Sequence, residues 1–151
     1  MRLLCVCHGN ICRSPMAEAI LDREFALRGL VGWRADSAGT SNEERGRPTD
    51  PRTLQILRTH YILFDHVARQ VTREDFNEFD YVLIMDELNR RNLVRLGLTP
   101  EQQAKIHLIT EYDPLGAGDV PDPYYGDLDV FADTYAVLNR SLIAFLDAVS
   151  K

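Results

Sequence analysis

Cysteine is scarce in this sequence and confined to one end: the 151 residues contain three, at positions 5, 7 and 12, and none follows Cys12. That distribution excludes a framework of disulfides across the chain and points to local reactivity instead. Long apolar runs are missing as well. No stretch approaches the ~18 residues of a membrane span, so insertion into a bilayer is not expected. Nor is there a surplus of positive charge, because 17 Lys and Arg stand against 23 Asp and Glu for a net charge of -6. General nucleic-acid binding works through a basic face and is therefore disfavoured, while a local cationic pocket is not. The opening "MRLLCVCHGN" has only a short apolar stretch and no small-residue cleavage site, so no secretory signal is read there and a cytoplasmic location is expected. Repeats and low-complexity linkers are also lacking. With 45% hydrophobic and 26% charged residues, the chain reads as a single soluble domain over residues 1–151, of a size that buries roughly 70% of its unfolded surface.

What is present is an alternation of strand and helix patterns. Arg2 to Val6 reads as a short buried strand. Ser14 stands where a helix N-cap belongs, with Pro15 at the first helical position, where a missing N–H costs nothing. The helix that follows runs to about Arg28 and carries Ala17, Ile20, Leu21 and Phe25 on one face. "WRADSAG" is a second strand. Thr49 to His60 reads as a helix entered through "TDP", and Thr72 with Asp75 opens a short one after the extended "HVARQV". "YVLIM" and "KIHLI" are further strands, separated by a helix over Asp86 to Leu96. The clearest helix carries Leu128, Phe131, Tyr135, Leu138, Leu142, Phe145 and Val149 at three- and four-residue spacing. Such alternation predicts an α/β fold, a four-stranded parallel sheet with helices on both faces in a three-layer, flavodoxin-like sandwich. Ligands then bind at the carboxyl ends of the strands, where Cys7 to Arg13 leaves the first one.

The segment "CHGNICRS", Cys7 to Ser14, carries the chemistry. A loop entering a helix N-terminus turns backbone N–H groups into one concavity, which favours an anion. Arg13 adds a planar fork that donates two parallel hydrogen bonds to phosphate-like oxygens. The same donors favour the thiolate of Cys7, making it a nucleophile aimed at phosphorus. Cys5, inside the strand, reads as a small packed hydrophobe. Cys5, Cys7, His8 and Cys12 lack the spacing of a zinc site, so neither metal nor cofactor is expected. Asp119 and Asp127 read as solvated or helix-capping carboxylates.

These segments resemble the low-molecular-weight protein tyrosine phosphatases: "CHGNICRSPMAEA", "DSAG", "HVARQVTREDF", "FDYVLIMDE" and "VPDPYYG", in order over nearly the whole chain. The resemblance implies hydrolysis of protein phosphotyrosine through a phosphocysteine intermediate. Cys7 would be the nucleophile, Arg13 the phosphate clamp and Asp122 the general acid. The loop residues His8, Gly9, Asn10, Ile11 and Cys12 would line the anion site. Asn10, Ser14, Ser37 and His66 would form the polar network that holds the loop, with Ser14 also donating to the sulfur. Asp86 would support them from behind. Tyr124 and Tyr125 would wall the cleft against an aromatic ring. The implied partners are a phosphotyrosine-containing protein or peptide and inorganic phosphate or a similar oxyanion. His8 departs from the apolar residue the family often carries, and reads as a rim residue. Asn42, Glu43 and Glu44 take the variable stretch where family members often place an aromatic.

Two alternatives share the fold. An arsenate reductase would need further cysteines to resolve its arsenic–sulfur intermediate, unless an external thiol served. The related arginine-phosphate phosphatases carry threonine where this chain has Ile11, and an apolar side chain there suits a phenol ring better than a guanidinium. Cys12 is the expected resolving partner for Cys7 on oxidation.

Overall fold

The computed structural model describes residues 1–151. Four strands, β1 (Arg2–Cys7), β2 (Arg34–Gly39), β3 (Tyr81–Ile84) and β4 (Ile106–Leu108), form one sheet in the order β2-β1-β3-β4. Every pairing is parallel. The chain steps from β1 to one neighbour and returns past it to the other, so the order reverses beside the carboxyl end of β1. Crevices form at such a switch point.

Alternation along β1 divides the core. Leu3, Cys5 and Cys7 face a layer built from α1 (Arg13–Arg28), α2 (Pro51–Thr59) and α6 (Leu128–Val149). Leu4 and Val6 face the other way, toward Phe76 of α3 (Asp75–Glu78), Leu93 of α4 (Glu87–Val94) and Leu98. Helices therefore cover both faces, as the alternation of patterns predicts. Ala17, Ile20, Leu21 and Phe25 are all buried, as are Phe131, Tyr135, Leu138, Leu142 and Phe145 of α6. Cys5 is wholly enclosed, and burial pushes its thiol far up, which leaves it inert packing.

Several boundaries differ from the sequence reading for physical reasons. Helix α1 starts at Arg13 with Cys12 in the cap position, and no side chain caps it. Ser14 therefore lies inside the first turn and Pro15 is the third helical residue. The Ser14 hydroxyl has partners other than the helix amides, namely Cys7 and Asn10. Helix α2 starts at Pro51 because the Asp50 carboxylate accepts from Arg52 N–H at 2.8 Å. Asp86 caps α4 in a reciprocal box with Asn89. The turn of helix α5 (Pro100–Gln103), capped by Thr99 in the same way, is too short to show periodicity in the sequence. The "HVARQV" segment is extended but joins no strand, making isolated bridges at Val67 with Pro48 and Gln70 with Gly39.

Candidate active site

Residues 8–12 bend between the end of β1 and the start of α1. Asn10 takes φ 60°, a left-handed conformation uncommon for a side-chain-bearing residue, so something must hold it. One support is β2. A Cβ on Gly39 would meet the His8 carbonyl oxygen at 2.7 Å, so only glycine lets the loop lie this close. Thr40 and Ser41 N–H then donate to the Cys7 and His8 carbonyls at 2.9 and 3.0 Å.

The second support is a side-chain network. Asn10 Nδ2 donates to Ser14 Oγ at 2.8 Å and to Ser37 Oγ at 3.0 Å. Its Oδ1 accepts from Arg69 N–H at 3.0 Å and lies 2.8 Å from His66 Nε2. Burial lowers His66, which favours the neutral ring, and since an amide oxygen only accepts, the tautomer that bonds Asn10 is the one with its proton on Nε2. Ser37 in turn donates to Glu18 at 2.7 Å. Burial, reinforced by the nearby Asp36 and Asp22 carboxylates, raises Glu18 to about 8, which keeps it protonated at neutral pH. Ser14 Oγ, which accepts from Asn10, lies 3.0 Å from Cys7 Sγ and can donate its proton to the sulfur whenever the sulfur is a thiolate, which has no proton to give. Asn10 N–H reaches the same sulfur at 3.3 Å. The amides of His8, Gly9, Ile11 and Cys12 have no protein acceptor.

Arg13 is 2% exposed. Its Nη1 donates to Asp86 Oδ2 at 2.8 Å and to the Val120 carbonyl at 2.7 Å. Those bonds fix the plane of the guanidinium. The opposite edge is left facing the cleft, where buried Nε has no partner and Nη2 lies 3.8 Å from Asp122 Oδ2. Burial works against the charge, but the Cys7 sulfur and the two carboxylates more than offset it. Asp86 thus orients the Arg13 guanidinium while capping α4.

The cleft above Cys7 is lined by His8, Gly9, Ile11, Cys12 and Arg13 below, and by Asp122, Tyr124, Tyr125, Glu43 and Glu44 around the mouth. Asp122 is half-exposed, and its Oδ1 accepts from Tyr124 N–H at 3.1 Å. Asp119 faces elsewhere, accepting from Glu87 N–H at 3.2 Å, and Asp127 caps α6. One acid of the "DVPDPYYGD" loop reaches the cleft. Ser37, His66 and Asp86 stand behind the site and do not line it.

A thiol under an anion-binding loop, a buried arginine and one carboxylate at the mouth suit thiol-based phosphoryl transfer. Residues 2–151 match the family model described as low molecular weight phosphotyrosine protein phosphatase. The chain belongs to this family. A human low molecular weight phosphotyrosine protein phosphatase is 44% identical, with 96% of this chain and 93% of that protein covered. A Streptomyces coelicolor low molecular weight protein-tyrosine-phosphatase is 42% identical, with 98% and 93% covered. Among solved structures, an Entamoeba histolytica protein tyrosine phosphatase superposes with TM-score 0.91 at 32% identity, covering 100% of this chain and 99% of that one. A Drosophila arginine phosphatase does so with TM-score 0.91 at 34% identity, with 100% and 99% covered.

In this low-molecular-weight phosphatase the mouth has its own character. His8 Nε2 lies 3.7 Å from Glu43 Oε2, and both side chains are largely in solvent. Glu44 packs its stem on the loop at Gly9 and pairs with Arg47 at 2.9 Å. Two carboxylates therefore share the lining of the cleft with the tyrosines. Tyr125 is 99% exposed, and its ring meets the half-buried Tyr124 edge-on.

Proposed function

We propose that this phosphatase hydrolyses phosphotyrosine in proteins by two in-line transfers at phosphorus. Cys7 Sγ attacks phosphorus, the bond to the phenolic oxygen breaks, and Asp122 delivers its proton to that oxygen. Water then attacks the phosphocysteine, Asp122 takes the water's proton, and inorganic phosphate leaves as the thiolate is restored. Ser14 supports that departure by donating to the sulfur. The observation that carries this reading is the unpartnered Nε of buried Arg13 together with four loop amides that have no protein acceptor, on residues that line one cleft with Cys7. These donors match the equatorial oxygens of a transferring phosphoryl group. Rates with phosphotyrosine, phosphoserine, phosphoarginine and arsenate test it, and activity confined to phosphoarginine or arsenate would overturn it.

The arginine phosphatase likeness makes phosphoarginine the second reading. Against it, Ile11 offers the cleft an apolar surface and no acceptor for a guanidinium. No cysteine after Cys12 is available for an internal arsenic relay.

Peptides with acidic residues beside the phosphotyrosine are expected to show higher KM than those with basic ones, because Glu43 and Glu44 stand at the entrance. An exposed charge such as Glu43 contributes about 0.2–1 kcal/mol, so a difference of roughly 1.4-fold to fivefold is expected from it and a smaller one from Glu44, which is paired with Arg47, both shrinking at high salt. A Glu43→Gln, Glu44→Gln double variant should erase it. Equal KM values for both peptide sets in the unaltered enzyme would refute the effect.

Mild peroxide is expected to inactivate the enzyme reversibly. Peroxide converts the Cys7 thiolate to a sulfenic acid, which condenses with the Cys12 thiol to a disulfide and releases water. Burial, with Asp50 next in effect, pushes the Cys12 thiol far up, but its proton already points at Asp50 Oδ2, 3.8 Å away. As the S–S bond forms, that proton leaves with the sulfenic hydroxyl as water. Peptide mapping after oxidation should find Cys7 joined to Cys12. A Cys12→Ser variant that recovers from peroxide as fully as the parent would disprove the protective role.

A further inference from the structure

Asp122 lies on an irregular segment, so something outside that segment must hold it over the phosphate. Its upstream end is pinned at buried Val120, whose N–H donates to the Met85 carbonyl at 2.8 Å and whose own carbonyl accepts from Arg13. The downstream end has a different anchor. Arg52 Nη1 donates to the carbonyls of Tyr124 and Gly126, both at 2.9 Å. Between those two residues the chain turns tightly, with Gly126 N–H donating to Pro123 O at 2.7 Å.

Arg52 is itself fixed on three sides. Its Nε and Nη2 donate to the two oxygens of Asp50 at 3.0 and 2.8 Å, a two-pronged pairing that sets the guanidinium plane. The guanidinium carbon sits 4.3 Å from the centre of the Phe131 ring and 5.6 Å from that of Tyr124. Asp50 leads back to the anion loop, since its N–H donates to the Ile11 carbonyl at 2.9 Å and its carboxylate accepts from Cys12. A continuous path thus runs from the anion loop through Asp50 and Arg52 to the backbone on the far side of Asp122.

We propose that Arg52 is a positioning residue for general acid catalysis: it keys the Asp122 segment to the anion loop, so that the carboxyl stands at a fixed place above the phosphorus bound over Cys7. This rests on the reading of Asp122 as the acid. Arg52 touches neither the nucleophile nor the anion donors, and its fork reaches both carbonyls while gripping Asp50, which a lysine ammonium on a flexible stem does not do. Its loss misplaces the proton donor and leaves anion binding intact. Geometric errors of about an ångström at a catalytic group cost up to roughly 10²-fold.

The test compares kcat/KM for phenyl phosphate, whose leaving group needs a proton, with that for p-nitrophenyl phosphate, whose leaving group needs one far less. Competitive inhibition by inorganic phosphate reports the anion loop and the integrity of the fold. Arg52→Gln is expected to lower phenyl phosphate turnover roughly 10- to 100-fold, to lower p-nitrophenyl phosphate turnover less than about threefold, and to leave phosphate inhibition within about twofold. Arg52→Lys should recover part of the loss. Placed on Asp122→Asn, Arg52→Gln should add little more, since two residues acting through one proton are not additive. The proposal fails if Arg52→Gln slows both substrates equally, weakens phosphate inhibition in step with turnover, or multiplies the Asp122→Asn defect. Should Asp122→Asn itself show no leaving-group dependence, the acid has been misassigned and the proposal falls with it. If Asp122→Asn shows the dependence and Arg52→Gln does not, only the role of Arg52 is wrong. Should Arg52→Gln not fold, the same comparison on Arg52→Lys decides: a loss confined to phenyl phosphate supports the role, and none excludes it.

Discussion

Cys7→Ser should abolish turnover of phosphotyrosine and leave oxyanion binding partly intact. A serine hydroxyl is far less acidic than a thiol and a much weaker nucleophile. The groups proposed to hold phosphate are separate from the sulfur: the loop amides remain, and the Arg13 edge stays tethered through Asp86 and Val120. Arg13→Lys should lose both properties together, because one ammonium cannot span two oxygens and also satisfy Asp86 and the Val120 carbonyl. Calorimetry with phosphate or vanadate, beside a turnover assay, separates the two variants. Substantial turnover by Cys7→Ser would mean that another group attacks phosphorus, and Cys5, sealed in the core, is not available for it.

Asp122→Asn is expected to slow phosphotyrosine hydrolysis by ~10²–10⁴-fold, the usual contribution of a placed proton donor. The phenol of tyrosine has a pKa of about 10, so its expulsion without a proton is costly. An aryl phosphate with a weakly basic leaving group should lose much less. An equal loss with good and poor leaving groups would count against Asp122. Transfer of the leaving-group dependence to Asp119→Asn would point to the neighbouring carboxylate, despite its bond to the Glu87 amide.

The features legible in the sequence were those written locally. Period and length revealed α6 from Leu128 to Val149, and β1 announced itself as an apolar run ending in the thiol loop. The loop composition alone implied an anion site, because its chemistry depends on neighbours a few residues apart. Other features depend on partners that sequence separation hides. Ser14 looked like a helix cap since the pattern does not disclose Asn10 and Cys7 as better partners for its hydroxyl. Asp86 offered only a faint signal, and its purpose appears when Arg13, 73 positions away, donates to it. Arg52 was silent in the sequence, because its carbonyl partners are 72 and 74 positions away and backbone oxygens carry no residue signature. Glu18 has no signal of its own in the sequence, because Ser37, its partner, lies 19 positions away on another element.

The bare backbone at Gly39 gives the anion loop a mould. Strand β2 presses against His8 and Asn10 from outside, while the Asn10 network grips from within. Ordering those residues costs conformational entropy, about 1–2 kcal/mol apiece for the backbone. In this arrangement folding meets that cost along with the formation of the sheet, before any phosphate arrives. An incoming phosphoryl group therefore finds a receptacle already cast, and its binding energy remains for the chemistry at phosphorus instead of being consumed in shaping the protein.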